Sequence, residues 1–117
     1  MDYGLAGKHV LVTGGATGIG RAIAGVLAVE GCSLAICARN ADEVDTSIAE
    51  LRKAGVRATG RALDVADEEA LRRFVADVAI ELGGLDIAIA NASALADGSS
   101  TAEFRRAFEV DLMHTVA

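Results

Sequence analysis

The sequence contains no proline and no tryptophan, and only two of its 117 residues are cysteines. Because proline interrupts the interior of helices and strands, a chain without it suits regular elements joined by short turns. Two cysteines are too few for a disulfide-rich scaffold. Cys32 and Cys37 lie about one apolar segment, and on a strand their offset of five places them on opposite faces. We therefore expect two buried small apolar residues, with no disulfide and no metal site.

Positive charge is also scarce: 11 lysines and arginines stand against 17 acidic residues, which gives a net charge of -6. A nucleic-acid surface needs a clustered positive footprint, whereas the basic residues here are scattered, so no nucleic-acid partner is expected. No apolar run approaches the length of a membrane span. The N-terminal segment lacks the pattern of a secretory signal. We therefore expect a cytoplasmic protein without membrane contact.

The hydrophobic pattern predicts parallel strands that alternate with helices. Residues 8–13, 33–38 and 85–90 are apolar on both faces, which is typical of strands in a parallel sheet covered by helices on each side. Residues 57–65 form a weaker strand pattern, which suits a sheet edge. Crossovers between parallel strands are right-handed. The alternation therefore predicts an α/β fold, half of a doubly wound parallel sheet, with four strands in the order 3-2-1-4.

Helical patterns separate these strands. In the first helix Ile19, Ile23 and Leu27 have the spacing of one apolar stripe. Asn40 is placed to cap the start of the second helix. The glycines at 83 and 84 are expected to end the third helix.

A glycine cluster lies where the first strand meets the first helix, at the edge of the sheet where ligands of such folds bind. Gly14 and Gly15 are expected to form a tight turn with positive φ. Gly18 would let a ligand approach the backbone, and Gly20 would let the helix pack close to the sheet. The free N–H groups at the helix start, near Ile19, would attract a phosphate. Taken alone, the cluster fits a plain strand-to-helix turn equally well.

Thr13 opens the pattern T-G-x-x-x-G-I-G, which resembles the cofactor motif of the short-chain dehydrogenases/reductases, a family of NAD(P)-dependent oxidoreductases. Further segments follow in the family's order: D-V at 64–65, L-D-I-A-I-A-N-A-S at 85–93, similar to a strand ending in N-N-A-G, and F-E-V-D-L at 108–112, similar to its V-N-L helix. The resemblance implies a Rossmann fold in which residues 1–117 form a dinucleotide-binding half-domain. It also implies carbonyl–alcohol interconversion by hydride transfer in the complete enzyme.

The resemblance further implies which residues contact the cofactor. Asn91 matches the second Asn of N-N-A-G, whereas Ala90 replaces the first Asn and Ser93 replaces the glycine. Asp64 would accept a hydrogen bond from the adenine, or alternatively cap the following helix. The implied cofactor contacts are Gly14, Ala16, Thr17, Gly18, Ile19, Gly20, Arg39, Asn40, Asp64, Val65, Asn91, Ala92 and Ser93.

Arg39 follows the second strand, near the offset from the glycines at which these folds contact the ribose. An arginine can pair with the 2′-phosphate of NADP through its planar fork. The acid that selects NAD in this family usually stands one place earlier, where this chain has Ala38. The resemblance therefore favours NADP over NAD. The alternative is a solvated surface arginine.

The family moves a proton with a Tyr and a Lys in the pattern Y-x-x-x-K, and that pattern is missing from these 117 residues. The single tyrosine is Tyr3, and Gly7 stands four positions after it. Asp111 matches a catalytic Asn of the family, but an ionised Asp cannot donate a hydrogen bond, and a surface or helix-packing role fits it equally. We therefore expect no catalytic residue here and no turnover by this chain alone.

The fourth strand of such a sheet is expected to sit beside a fifth, and without it an apolar edge is left open. Self-association or docking is therefore expected through this edge and the last helix. Three hypotheses remain: the N-terminal portion of an NADP-dependent oxidoreductase, a non-catalytic dinucleotide-binding module, and a module that docks onto an intact relative. The apolar face of the last helix consists of Phe104, Phe108 and Leu112.

Overall fold

A computed structural model describes residues 4–91 as strands that alternate with helices. All strand pairs are parallel, and the sheet order is β3-β2-β1-β4. This confirms the predicted α/β class and strand order, with the weakest strand pattern at an edge. The last helix, Ala92, Ser93 and Asp111 lie outside the described residues. The elements are β1 (His9–Thr13), α1 (Gly18–Val29), β2 (Ser33–Ala38), α2 (Ala41–Arg52), β3 (Ala58–Ala62), α3 (Glu68–Leu82) and β4 (Ile87–Ile89).

The sheet carries an apolar core on each face. Along β1, Val10 and Val12 face the core beneath α1 and α2, whereas Leu11 faces the core beneath α3. Successive side chains of a strand point to opposite faces, so a strand buried on both sides is apolar throughout. The two cysteines are separated in the same way, because Cys32 belongs to the first core and Cys37 to the second. Both are free and buried, as predicted.

Helix α1 contacts the sheet through its smallest side chains. Gly20, Ala24 and Ala28, spaced one turn apart, are the buried residues of the helix. Ile19 is 73% exposed, so the prediction that it packs against the sheet is wrong. The sheet-facing stripe lies one residue later, at Gly20. Leu27 packs only partly against the core. Small residues at the sheet-facing positions let the helix axis lie close to the strands, with larger apolar side chains at its flanks.

Polar caps and a glycine set the ends of α2 and α3. The Asn40 side chain accepts a hydrogen bond from the N–H of Glu43 at 3.0 Å, which confirms the predicted cap. Asp67, rather than Asp64, accepts from the first turn of α3 at 3.1 Å. The alternative that Asp64 caps this helix is therefore wrong. Gly83 ends α3 with a left-handed φ of 84°, as predicted.

Phe74→Ala should strongly destabilise the fold. Phe74 is 2% exposed in the core beneath α3, so we expect the free energy of unfolding to fall by about 3–5 kcal/mol. Ile80→Ala, on the same helix but at a side chain that is 82% exposed, should change it by less than about 0.5 kcal/mol. Urea denaturation followed by circular dichroism measures both. Similar losses at the two positions would contradict this packing of α3.

Candidate functional site

One buried hydroxyl joins the carboxyl ends of β1 and β4. Thr13 is fully buried. Its Oγ1 accepts a hydrogen bond from the N–H of Asn91 at 2.9 Å and donates to the carbonyl of Ile89 at 3.4 Å. A hydroxyl can do both at once. The two bonds hold Asn91 beside the segment that we call the glycine loop, residues 14–18.

The glycines of this loop serve different purposes. Gly14 and Gly18 have φ of 66° and 58°, a left-handed backbone that glycine adopts readily. Gly15 does not, so the predicted positive φ at this residue is wrong. A Cβ at residue 15 would instead lie 2.6 Å from Cγ2 of Ile36. The Gly14 N–H donates to the carbonyl of Cys37 at 2.8 Å and ties the loop to β2.

Gly20 lies where α1, the glycine loop and Asn91 converge. A Cβ at residue 20 would lie 2.0 Å from the carbonyl oxygen of Gly14 and 2.6 Å from Nδ2 of Asn91. Only glycine allows the three segments to approach this closely, as the predicted close packing of helix and sheet requires. Among residues 4–91, a Cβ at Gly18 would meet nothing within 4 Å. No part of this described range therefore covers that side of the loop.

Backbone donors line the loop and the start of α1. Within residues 4–91, nothing accepts a hydrogen bond from the N–H groups of residues 15–20. Thr17 is the N-cap residue of α1, yet its side chain makes no capping bond, and the first turn carries no acidic residue. The positive end of the helix dipole therefore has no counter-charge from its own first turn. Phosphate oxygens satisfy donors of this kind.

Two hydroxyl groups that hold this site together were missed by sequence reasoning. One is that of Thr13, and the other is that of Ser47 on α2. Ser47 Oγ donates to the carbonyl of Ala16 at 3.1 Å, and both residues are 1% exposed. The role of Thr13 is indicated in the sequence only by the position of its hydroxyl, at the last residue of the strand before the glycines. For Ser47 the indication is a polar residue between Val44 and Leu51, on the apolar side of α2.

A second polar group lies at the ends of β2 and β3. Arg39 Nη2 is 3.3 Å from Oδ2 of Asp64, and the two side chains are 73% and 47% exposed. Asp64 Oδ1 accepts from the N–H of Ala66 at 2.9 Å, which fixes the carboxylate in place. A guanidinium carries five N–H donors, and among the described residues 4–91 Arg39 contacts only Asp64 with it, so most of these donors have no partner there. Val65 follows Asp64, and Asn40 follows Arg39 as the cap of α2.

An open cleft of about 340 Å³ separates the glycine loop from the start of α2. It brings two of the predicted cofactor contacts, Ala16 and Thr17, next to the helix that Asn40 caps. Its lining residues are Ala16, Thr17, Arg21, Asp42, Glu43 and Thr46.

Burial raises the pKa of the Cys37 thiol to about 12. The thiol is therefore protonated at neutral pH and is a poor nucleophile, although its backbone supports the glycine loop. In the part of the chain that the structure describes, no group of three or more His, Cys, Asp and Glu residues is arranged to hold a metal ion. None of the helices in residues 4–91 combines the length and the apolar character of a bilayer span.

Comparison with known proteins identifies the family. The model of the short chain dehydrogenase family matches residues 8–117. The chain belongs to this family. Isoepoxydon dehydrogenase of Penicillium expansum is 36% identical over 97% of this chain and 45% of its own length. 2-Dehydro-3-deoxy-D-gluconate 5-dehydrogenase of Formosa agariphila is 31% identical over 95% of this chain and 44% of its own length. The chain thus spans less than half the length of these two relatives.

Solved structures of short-chain dehydrogenases share the fold described above. L-sorbose reductase from Gluconobacter frateurii, complexed with NADPH and L-sorbose, has a TM-score of 0.82 at 30% identity and is matched over 98% of this chain and 49% of its own. An NAD+-bound xylitol dehydrogenase has a TM-score of 0.84 at 26% identity, over 94% and 50% of the two chains. The predicted family and Rossmann-type sheet are confirmed. The two neighbours hold different dinucleotides.

Gly20→Ala should disrupt the junction of loop and helix, because its Cβ would collide with the backbone carbonyl of Gly14. We expect the free energy of unfolding to fall by about 2–3 kcal/mol. Gly25→Ala is the matched control, since a Cβ there meets no atom of the described residues within 4 Å. That variant should gain about 0.5–1 kcal/mol from the better helix propensity of alanine. Urea denaturation distinguishes the two, and losses of equal size would contradict the close contact at Gly20.

Proposed function

We propose that this chain is the NADP(H)-binding portion of a short-chain oxidoreductase that interconverts carbonyls and alcohols by hydride transfer. The observation that carries the proposal is the run of N–H groups at residues 15–20 that have no acceptor within residues 4–91. In this proposal residues 1–117 act as a dinucleotide-binding half-domain located in the cytoplasm. Substrate specificity belongs to the complete protein, because the chain spans less than half of its relatives.

Each part of the site has a proposed role toward the dinucleotide. The glycine loop and the first turn of α1 bind the pyrophosphate through backbone N–H groups. Asp64 and Val65 contact the adenine. Ile19, whose side chain is 73% exposed, lies in that first turn of α1 and contributes its N–H group to the pyrophosphate, whereas Asn91 flanks the cofactor at the end of β4. The nicotinamide supplies the hydride when bound. The proposed contacts are Gly14, Ala16, Thr17, Gly18, Ile19, Gly20, Arg39, Asn40, Asp64, Val65, Asn91, Ala92 and Ser93.

The proposed preference for NADP depends on Arg39. Its guanidinium is exposed and, within residues 4–91, makes one ion pair, with Asp64, so it has donors left for the 2′-phosphate. Ala38, directly before it, offers no carboxylate to accept a hydrogen bond from the 2′-hydroxyl of NAD. NAD remains the less favoured cofactor.

The proton relay of the family is not encoded within these 117 residues. Tyr3 is the only tyrosine, it precedes β1, and Gly7 occupies the position that Y-x-x-x-K requires for lysine. A lysine one turn away is needed to lower the pKa of the phenol toward neutrality. We therefore propose that this chain alone binds the dinucleotide without transferring hydride.

Fluorescence titration with NADPH and NADH tests the assignment of the ribose pocket. The wild-type chain should bind NADPH about tenfold more tightly, because one charge-assisted pair accounts for an affinity difference of this order. Arg39→Asp should reverse the preference, since it places a carboxylate near the 2′-position.

Arg73→Asp is the matched control, because it makes the same change of charge on an exposed face of α3. This variant should keep the wild-type preference for NADPH. If Arg39→Asp leaves both affinities unchanged, the assignment of Arg39 to the 2′-phosphate is wrong.

A second proposed role is docking, either between copies of this chain or onto an intact relative. Strand β4 pairs with β1 on one side, and its residues Ile87, Ala88 and Ile89 are each only half-buried. Within residues 4–91, no strand pairs with its other side. An apolar strand edge of this kind favours association with another chain. The last helix, the other part of the docking surface expected from the sequence, lies outside the described residues.

Sedimentation velocity at micromolar concentration tests self-association. We expect the wild-type chain to sediment as a dimer or larger species, and its mean sedimentation coefficient to rise with concentration. Ile89→Lys, at the end of the open strand, should shift the distribution toward the monomer because a charged edge strand resists pairing. A monodisperse wild-type monomer would contradict the proposal.

A further inference from the structure

Ser47 is a buried polar residue that the proposed cofactor contacts do not include. It lies on the apolar side of α2, between the buried residues Val44 and Leu51. Its hydroxyl crosses from α2 to the glycine loop and donates to the carbonyl of Ala16 at 3.1 Å. Both ends of this hydrogen bond are excluded from solvent, since each residue is 1% exposed.

This bond fixes the orientation of one peptide plane in the loop. In a planar trans peptide, the carbonyl oxygen and the following N–H point in opposite directions. Because the carbonyl of Ala16 points at Ser47 on α2, the N–H of Thr17 points away from that helix. Thr17 N–H is one of the donors without an acceptor in residues 4–91. Ser47 therefore determines the direction in which this donor is presented.

The loop has few other restraints on this plane. Gly14 is tied to β2 by its N–H, and Gly15 packs against Ile36, but glycine backbones have wide conformational freedom. Within the described range, the carbonyl of Ala16 accepts no hydrogen bond besides that of Ser47. A buried carbonyl without a partner is unfavourable, so the plane would turn toward another donor if the hydroxyl were removed.

We propose that Ser47 is a positioning residue that preorganises the glycine loop for the pyrophosphate. The inference rests on the proposed dinucleotide binding, but Ser47 itself touches no part of the ligand. A loop that is ordered before binding loses less conformational entropy when the ligand arrives. The hydroxyl of Ser47 thus raises the affinity for the dinucleotide by holding the loop in its binding conformation, without contacting the ligand.

Titration of the full chain with NADPH, monitored by fluorescence, tests the role of Ser47. Ser47→Ala should weaken binding by roughly tenfold, the loss expected when one buried carbonyl is left unpaired. Val44→Ala is the matched control on the same helix, because Val44 is 2% exposed and belongs to the core. It should lower the unfolding midpoint in urea while leaving the dissociation constant within about twofold of the wild type.

A second pair of variants separates the hydroxyl from the effect of packing. Ser47→Thr and Ser47→Val add the same branched shape, but only Thr retains the donor. We expect the Thr variant to bind NADPH more tightly than the Val variant by roughly tenfold. This pair decides the matter even if Ser47→Ala does not fold. Equal affinities of the Thr and Val variants would overturn the role of Ser47.

Backbone dynamics without cofactor provide a readout that a merely structural role would not move. Amide order parameters of residues 15–18, measured by NMR relaxation, should fall in Ser47→Ala and stay unchanged in Val44→Ala. If wild type and Ser47→Ala bind NADPH equally, the positioning role is wrong and the dinucleotide site stands. If the wild type does not bind NADPH at all, the proposed function itself fails.

Discussion

The contact between Gly20 and the carbonyl of Gly14 determines how the rest of the site is arranged. Since no side chain separates the first turn of α1 from the end of β1, the helix begins directly behind the glycine loop. The same contact includes the amide of Asn91, which Thr13 holds at the end of β4. Three segments that are distant in sequence therefore meet at one point, and N–H groups without an acceptor in residues 4–91 lie around it. Packing alone thus presents backbone donors at this edge of the sheet.

Much of the fold follows from the sequence because its two central strands, β1 and β2, are buried on both faces. Segments such as 8–13 and 33–38, which carry apolar residues on both faces, predict a parallel sheet, and the order 3-2-1-4 follows from right-handed crossovers. Asn40 was predictable as a cap because its partner lies three residues away. The packing face of α1 was not, since its contact residues are glycine and alanine, which give almost no hydrophobic signal.

In the site too, features set by neighbouring residues in the sequence were predictable, whereas features set by contacts between distant segments were not. The spacing of the glycines predicted the loop and the close packing at Gly20. The reason for Gly15 is a side chain of the neighbouring strand, Ile36, which no local pattern reveals. The hydroxyl groups of Thr13 and Ser47 likewise act on partners 76 and 31 positions away along the chain. Residues such as Thr13 and Ser47, which bond to segments distant in sequence, can therefore be recognised only once the strands and helices are placed in three dimensions.

Helix α1 packs on the sheet through one row of small residues, Gly20, Ala24 and Ala28. Ala24 lies one turn beyond Gly20, about 6 Å along the helix axis, and is fully buried. A bulkier side chain at Ala24 would push this part of α1 away from the sheet. Because a helix is stiff, the whole of α1 would tilt relative to the strands. The amides at its leading end would swing out of alignment, although residue 24 is too far away to touch a ligand. Distance from the loop is therefore a poor guide to which positions on this helix influence binding.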